Sequence, residues 1–192
     1  ADRMMEPVLT RNIGPERCPT NLAAYQANHG YRGLRKALTE MSADDCQAVV
    51  KNSNLRGRGG AGFPTGMKWS FVPRGDACTP GHKYLVCNAD EMEPGTFKDR
   101  LLMECDPHQL IEGMILAAYT IGADIAYIFI RGEYLVAIQR LRDAIAECYA
   151  SGYLGERILG SDFNLQMHVH PSAGRYILSL IHISEPTRRR GI

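Results

Sequence analysis

Three short apolar runs that alternate with helical patterns constrain the fold of this chain more than any other feature of its 192 residues. The runs lie at residues 83–88, 126–130 and 165–170, and each has the length of a buried strand. Helical patterns over 106–121 and 133–150 separate them. Strands that alternate with helices form a parallel sheet with right-handed crossover connections. We therefore predict an α/β fold, in which flanking helices cover a parallel sheet.

The first third of the chain is predicted to be mostly helical. Residues 1–21 contain three prolines and little periodicity, which indicates an extended N-terminal arm, and two short helices follow over 22–30 and 31–40. Ser42 then begins a third helix, with Asp45 three residues later as a weak capping-box partner. The side chains of this helix that we expect to face the core are Cys46, Val49 and Val50.

A glycine-rich loop follows that helix, with five glycines within the ten residues from Gly57 to Gly66. Glycine lets the backbone approach a ligand closely, and successive N–H groups can then converge on an anion. A nucleotide or dinucleotide phosphate is the expected ligand, and a mobile loop without a ligand is the alternative. A P-loop would place Ser or Thr directly after Gly-Lys, whereas Met67 separates Gly66 from Lys68 and Trp69 follows. A Rossmann fingerprint would follow a strand rather than a helix.

An acidic loop comes directly after the first strand, with Asn88, Asp90, Glu91 and Glu93 close together. Ligands of open α/β sheets bind outside the carboxyl ends of the strands, so this loop is well placed for a site. Carboxylates repel phosphate and instead accept hydrogen bonds from hydroxyl or amide groups. We therefore expect the glycine loop to hold phosphate and the acidic loop to hold a ribityl chain, a ribose or a carboxamide. A solvated acidic loop is the alternative.

Composition and patterning argue against several other classes of protein. The net charge of +1 argues against nucleic-acid binding, and no secretory signal pattern opens the chain. The apolar run over 114–130 is too short to span a membrane, and Gly122 and Asp124 interrupt it.

Metal binding is also not expected from the sequence. The six cysteines are scattered without a Cys-x-x-Cys spacing, which indicates reduced thiols rather than a metal or iron–sulfur site. His168 and His170 share one face of the last strand, but no third ligand is near in sequence, so they are interpreted as edge-strand histidines.

Taken in order, the motifs closely resemble those of the NADH-binding flavoprotein subunit of respiratory NADH:quinone oxidoreductase, complex I. The resemblance runs from about residue 22 to 177. It rests mainly on the segments 57–66 and 88–96, and it is strengthened by Lys68-Trp69 and by segments 98–100, 130–134 and 173–177.

This resemblance implies a Rossmann-like domain with an unusual glycine loop, and FMN and NADH as ligands. The implied reaction is hydride transfer from the nicotinamide to the flavin, with no general acid or base on the protein. The residues implied to line the FMN phosphate and ring region are Gly57, Arg58, Gly59, Gly60 and Lys68, and the loop also includes Ala61, Gly62 and Gly66. Those implied to contact the flavin or its ribityl chain are Asn88, Asp90, Glu91 and Tyr176. Phe63 and Phe71 are expected to stack on the adenine, and Glu93 is the implied catalytic-site residue beside the nicotinamide.

The resemblance also implies the setting in which such a chain acts. The expected partners are the 2Fe–2S subunit and the large iron–sulfur subunit of the peripheral arm. The expected place is the cytoplasmic face of the bacterial inner membrane, or the mitochondrial matrix side, without membrane insertion. The cysteines that hold a 4Fe–4S cluster in the family are absent, so electrons would pass to clusters outside this chain.

Domain boundaries follow from where the resemblance stops. Residues 22–177 are interpreted as an incomplete FMN/NADH-binding domain, inactive in isolation. In the family Tyr-Ile is followed by Cys-Gly-Glu-Glu, whereas Tyr176-Ile177 continues differently here, and residues 178–192 are interpreted as a non-native tail. Three alternatives stay open. They are the diaphorase subunit of an NAD-linked hydrogenase or formate dehydrogenase, a phosphate-cradle nucleotide hydrolase, and a truncated chain that binds nothing.

Overall fold

A parallel three-stranded sheet forms the centre of the computed structural model, which describes residues 8–74 and 81–173. The strands are β1 (Tyr84–Ala89), β2 (Ile125–Ile130) and β3 (Gln166–Pro171), in the spatial order β1-β2-β3. Both neighbouring pairs run parallel and in continuous register, so that Leu85 faces Ala126 and Ala126 faces Met167. The predicted parallel α/β sheet is confirmed.

The helices of the described residues are α1 (Leu22–Ala27), α2 (Arg32–Glu40), α3 (Ala43–Asn52), α4 (Thr65–Ser70), α5 (Lys98–Cys105), α6 (Pro107–Ile121) and α7 (Leu135–Ala150). A short 3-10 helix, Ile158–Gly160, precedes β3. The segment 8–21 contains turns but no helix or strand. Residues 1–7 of the predicted arm and the tail at 178–192 lie outside the described residues.

Helices α6 and α7 make the two crossovers and pack on one face of the sheet. α6 contacts β1 and β2, and α7 contacts β3. Alternate residues of β2, Ala126, Ile128 and Ile130, are fully buried beneath these helices. On the opposite face of β1, Tyr84 and Val86 are 55% and 60% exposed. Since successive strand residues point to opposite faces, one face of the sheet carries the core.

Helix α6 begins and ends where the sequence predicts. Pro107 occupies its first turn, and Gly122 closes it in the left-handed region at φ 73°. Asp106 stands at the N-cap position, where aspartate commonly caps a helix, but its side chain makes no capping bond. Its carboxylate accepts a hydrogen bond from Asn12 Nδ2 at 2.8 Å instead. This contact fastens the N-terminal segment to the junction of α5 and α6.

Helix α3 confirms the predicted capping box but not the whole predicted core face. The Ser42 hydroxyl accepts the N–H of Asp45, and the Asp45 carboxylate accepts the N–H of Ser42 at 3.0 Å. Cys46 is buried and Val50 half-buried, whereas Val49 is 56% exposed. The expectation for Val49 was wrong because α3 packs against α4 and α6 along the line of Cys46 and Val50, and Val49 lies beside that line.

Helix α5 is an element that the sequence analysis did not predict. It is only eight residues long, and it buries Met103 and Cys105 against α6 and α7. Three consecutive apolar residues, Leu101 to Met103, and scattered charges do not form a clear helical period. Its N-cap residue, Phe97, has no side chain able to cap it. The capping group comes from the acidic loop, as described below.

A buried carboxylate joins the first two helices to the core. Glu112 of α6 accepts hydrogen bonds from the Tyr25 hydroxyl at 2.6 Å, the Tyr31 N–H at 2.9 Å and the Leu34 N–H at 3.1 Å. Tyr31 has a left-handed backbone (φ 59°), so it supplies the turn between α1 and α2. Since buried donors are costly when unpaired, Glu112 stabilises that turn.

The Tyr31 hydroxyl also contacts a second set of polar side chains, on the core side of the turn. Its hydroxyl lies 3.0 Å from His108 Nδ1 and 3.1 Å from Cys148 Sγ, and His108 Nε2 lies 3.1 Å from Glu147. Burial raises the pKa of Cys148 to about 11 and lowers that of His108. A buried, protonated thiol is not a nucleophile, so this cluster is structural.

Within the described residues the cysteines are free thiols, as expected: Cys18, Cys46, Cys87, Cys105 and Cys148. Cys78 lies outside the described residues. No helix in 8–74 or 81–173 combines the length and apolarity needed to cross a membrane.

We predict that Glu112→Ala lowers the free energy of unfolding by about 3 kcal/mol or more, because three buried donors lose their acceptor at about 1–3 kcal/mol each. Urea denaturation followed by circular dichroism measures this change. Glu156→Ala, at an exposed carboxylate, is the matched control and should alter stability by less than about 0.5 kcal/mol. Equal effects of the two substitutions would contradict the assigned role.

Candidate functional site

The carboxyl ends of the three strands meet at one edge of the sheet, and three loops leave from it. They are 90–97 after β1, 131–134 after β2 and 172–173 after β3. The Ser172 N–H donates to the Ile130 carbonyl at 2.7 Å, and the Arg131 N–H donates to the Ala89 carbonyl at 3.4 Å. The loops are therefore joined to neighbouring strand ends. This edge is where open α/β sheets bind ligands.

The acidic loop is a compact turn built on its own hydrogen bonds. The Asp90 N–H donates to Asn88 Oδ1 at 3.1 Å, and the Thr96 N–H donates to the Glu93 carbonyl at 3.1 Å. Gly95 takes a left-handed conformation (φ 80°), which glycine adopts at no steric cost. The predicted group of Asn88, Asp90 and Glu93 is thus assembled at the end of β1.

Asp90 provides the clearest indication of a polar ligand. Its Oδ1 atom is buried, and no described residue gives it a hydrogen-bond partner. Burial raises the pKa of this carboxyl, while a hydrogen bond from Ser172 and the charge of Arg131 counteract that rise. A buried acceptor without a donor is costly. A ligand hydroxyl or N–H at this point would satisfy it, so the acidic loop fits a polyol or amide group.

Glu91 is occupied by a different task. It is buried, and its two carboxylate oxygens accept the backbone N–H groups of Asp99 at 2.9 Å and Arg100 at 3.1 Å. These N–H groups belong to the first turn of α5, where no intrahelical acceptor exists. The predicted contact of Glu91 with the flavin stays a prediction. In the described structure its carboxylate caps α5.

The loop after β2 contributes residues that the site prediction did not include. Arg131 Nη1 donates to the Glu91 carbonyl at 3.2 Å, and the Tyr134 hydroxyl donates to the same carbonyl at 3.3 Å. The position of this loop directly after a buried strand could have indicated it. The acidic loop has the same kind of position, directly after β1.

Backbone hydrogen bonds hold the two ends of the glycine loop close together. The Gly57 N–H donates to the Phe63 carbonyl at 2.9 Å, the Thr65 N–H donates to the Leu55 carbonyl at 2.8 Å, and Arg56 forms an antiparallel bridge with Pro64. Residues 56–61 are all exposed, so the loop presents its backbone and cations outward.

Two of the loop glycines have backbones that other residues rarely adopt. Gly60 and Gly62 have φ values of 147° and 63°. A Cβ atom at Gly59, Gly60 or Gly62 would meet no atom within 4 Å, so packing does not explain them. Open space above a glycine backbone, with Arg58 and Lys68 exposed nearby in sequence, suits an anionic ligand.

Gly66 differs from the other glycines of the loop. A Cβ atom there would lie 2.5 Å from the backbone of Lys51, so α4 packs on α3 only because residue 66 is glycine. This contact accounts for Gly66 without a ligand, and its predicted part in cofactor binding stays a prediction.

An exposed aromatic pair accompanies the loop. Phe63 and Phe71 are 44% and 68% exposed, and their ring centroids lie 6.2 Å apart at an interplanar angle of 48°. The sequence separates these residues by a helix, and the fold brings them together. Aromatic faces open to solvent can stack on a base.

The remaining predicted site residues are placed as follows. Ala61, Lys68 and Asn88 are exposed, whereas Tyr176 lies outside the described residues. His168 and His170 are exposed on β3, with their rings 5.3 Å from that of Tyr127 and 5.7 Å from that of Phe129. In the part of the chain that the structure describes, no three His, Cys, Asp or Glu residues are grouped to hold a metal ion.

Comparison with known proteins relates this architecture to flavoprotein subunits. Residues 50–180 match the family model described as the Nuo51 FMN-binding domain. A subunit of the NADH-quinone oxidoreductase of Rhizobium meliloti is 61% identical over 176 residues, which are 91% of this chain and 40% of that subunit. The corresponding subunit of the Escherichia coli NADH-quinone oxidoreductase is 50% identical over 169 residues, which are 88% of this chain and 38% of that subunit. The chain therefore spans about two fifths of the length of these relatives.

Two solved structures of an NAD+-reducing NiFe hydrogenase share the fold. The H2-reduced form has a TM-score of 0.65 and 33% identity, over 90% of this chain and 26% of the hydrogenase chain. The air-oxidized form has a TM-score of 0.60 and 40% identity, over 71% of this chain and 22% of the other. The Rossmann-like flavoprotein fold expected from the sequence is confirmed by these likenesses.

We predict that Gly66→Ala destabilises the protein by about 1–3 kcal/mol, because the added methyl group collides with the Lys51 backbone. Gly59→Ala is the matched control, since its methyl group enters open space, and it should change stability by less than about 0.5 kcal/mol. Thermal unfolding of both variants measures the difference. If Gly59→Ala were the more destabilising of the two, the distinction between packing and loop glycines would be wrong.

Proposed function

The chain belongs to the family of the Nuo51 FMN-binding domain, and we propose that it forms the FMN- and NADH-binding part of an NADH-oxidising flavoprotein. The observation that carries this proposal is the buried Asp90 Oδ1, which has no described partner at the carboxyl edge of the sheet. A hydroxyl of the FMN ribityl chain is a donor of the kind that this oxygen lacks.

The residues present fit FMN at both of its polar ends. The exposed N–H groups of the glycine loop, with Arg58 and Lys68, would hold the phosphate. Asn88 and Asp90 would accept hydrogen bonds from the ribityl hydroxyls, and Tyr176 would also contact the flavin. The cations and the carboxylates lie on separate loops, which matches a ligand with an anionic end and a polyol middle.

NADH would bind across the same edge. The exposed rings of Phe63 and Phe71 offer a stacking surface for the adenine, and Glu93 would lie beside the nicotinamide. When bound, FMN supplies the chemistry by accepting a hydride from NADH. The protein's part is to orient the two rings and to exclude water, which requires no protein acid or base.

The wider setting is part of the same proposal. Residues 22–177 would be an incomplete FMN/NADH-binding domain, preceded by the 1–21 arm and followed by a non-native tail at 178–192. Within a complete subunit, electrons would pass to iron–sulfur clusters outside this chain. The partners would be the 2Fe–2S and large iron–sulfur subunits of complex I, on the cytoplasmic or matrix side of the inner membrane. In isolation the chain would not reduce quinone.

A second candidate is the diaphorase subunit of an NAD-linked hydrogenase. The structural likeness to an NAD+-reducing NiFe hydrogenase favours it. Both candidates share the motifs of the glycine loop and the acidic loop, so experiments on the site apply to both. Purification of the native complex, with identification of either a hydrogenase or a quinone-reducing subunit, would separate them.

We predict saturable FMN binding, measured by quenching of flavin fluorescence on titration with the purified chain. Asp90→Ala should weaken binding by about tenfold or more, because a hydrogen bond to a charged acceptor is lost. Asp143→Ala, at an exposed carboxylate on α7 that accepts from Gln139, is the control and should leave the affinity unchanged. Binding of Mg-ATP in place of FMN would contradict the flavoprotein assignment and favour a nucleotide hydrolase.

We also predict that Phe63→Ala and Phe71→Ala each raise the NADH concentration for half-maximal bleaching of bound FMN by about fivefold or more, through lost stacking on the adenine. The dissociation constant for FMN should not change. Tyr84→Ala, at a similarly exposed ring at the opposite end of β1, is the control. If the two substitutions weakened FMN and left NADH unaffected, the aromatic pair would belong to the flavin site instead.

A further inference from the structure

The acidic loop is held by contacts among four residues, which we call the brace. They are Glu91 of the loop itself, Arg100 of α5, and Arg131 and Tyr134 of the β2–α7 loop. The Glu91 carbonyl accepts hydrogen bonds from Arg131 Nη1 at 3.2 Å and from the Tyr134 hydroxyl at 3.3 Å. The same hydroxyl lies 3.4 Å from Glu91 Oε2. The acidic loop is thus held through both the main chain and the side chain of Glu91.

The aromatic ring of Tyr134 is also held in place, by two arginine side chains. The Arg100 guanidinium carbon lies 5.2 Å from the ring centroid, and that of Arg131 lies 5.6 Å from it. Such cation–π contacts orient the ring between α5 and the β2–α7 loop. Burial and the Glu91 charge raise the pKa of Tyr134, so that the phenol stays protonated and can donate.

The loop that carries Tyr134 cannot easily shift. A Cβ atom at Gly132 would lie 2.5 Å from the Ser172 carbonyl oxygen, so the β2–α7 loop rests directly on the backbone after β3. Glu91 in turn caps α5, which packs on α6 and α7. The brace therefore connects the core to Glu91, which lies directly after Asp90 and two residues before Glu93.

We propose that Tyr134 is a positioning residue, which holds the Glu91 backbone so that Asp90 and Glu93 keep the directions that the ligands require. The ligand part of this inference rests on the proposed function, because FMN and NADH are the ligands proposed for those carboxylates. Tyr134 acts through Glu91 rather than by touching FMN or NADH.

The first test needs no ligand. Amide hydrogen exchange of the chain should be about two- to tenfold faster at Asp99 and Arg100 in Tyr134→Phe, which loses the hydroxyl but keeps the ring. Tyr134→Leu should exchange faster still, because the contacts with both arginines are lost as well. Tyr119→Phe is the matched control, since its hydroxyl bonds the Met41 carbonyl at 2.9 Å, and it should leave these amides unchanged.

The second test measures FMN affinity and the visible absorption spectrum of bound FMN. Tyr134→Phe should raise the FMN dissociation constant by about two- to tenfold and shift the spectrum, Tyr134→Leu should do so more strongly, and Tyr119→Phe should do neither. Faster exchange with unchanged affinity and spectrum would overturn the positioning role and leave only a structural one. Unchanged exchange in both Tyr134 variants would overturn the brace itself. If no form of the chain, the wild type included, bound FMN, the proposed function would fail, and hydrogen exchange alone would still decide for or against the brace.

Discussion

Burial of α6 against the sheet is the interaction on which the other parts of this structure depend. Ile111 and Ile115 are completely buried, and each such side chain contributes about 1.5–3 kcal/mol of transfer free energy. The same helix receives β1 and β2 on one side and the α1–α2 turn, through Glu112, on another. α3 and α4, which flank the glycine loop, also pack on it. Both candidate ligand loops are therefore attached to elements that α6 holds in place.

Asp90 and Glu91 are neighbouring carboxylates of the acidic loop, and their hydrogen bonding differs. Glu91 has its acceptors filled by the N-terminal turn of α5, whereas Asp90 keeps one buried oxygen without a described partner. Adjacent residues in an extended segment point in opposite directions, so one side chain can enter the protein while the next faces the site. A satisfied carboxylate rigidifies its surroundings, and an unsatisfied one favours a donor from outside. The loop needs both kinds of carboxylate, because a ligand-binding side chain is well positioned only when the backbone that carries it is fixed.

Sequence patterns were sufficient wherever a local rule decides the structure. The three strands follow from short apolar runs, α6 from Pro107 and Gly122, and the α3 cap from Ser42 and Asp45. The failures share a different cause. α5 takes its cap from Glu91, seven residues before the helix begins, and Tyr134 meets that residue only through the pairing of β1 with β2. The packing role of Gly66 was missed for the same reason, since its close contact with Lys51 arises only from the packing of α4 on α3. The types of residue in a sequence indicate that a binding site is present. Tertiary contacts then decide which of those residues remain available to bind a ligand.

Charge separation favours the proposed flavin ligand over a nucleoside triphosphate. The cations Arg58 and Lys68 lie with the exposed glycine backbone, and the carboxylates lie on a separate loop after β1. Reversed binding would place a phosphate beside Asp90 and Glu93, and two like charges 4 Å apart repel by about 4 kcal/mol near a protein surface. A nucleoside triphosphate carries more negative charge than FMN, so the same carboxylates would repel it more strongly. A flavin mononucleotide carries one phosphate, followed by hydroxyls and then a neutral ring, so under the proposed function its phosphate would meet the cations and its hydroxyls the carboxylates.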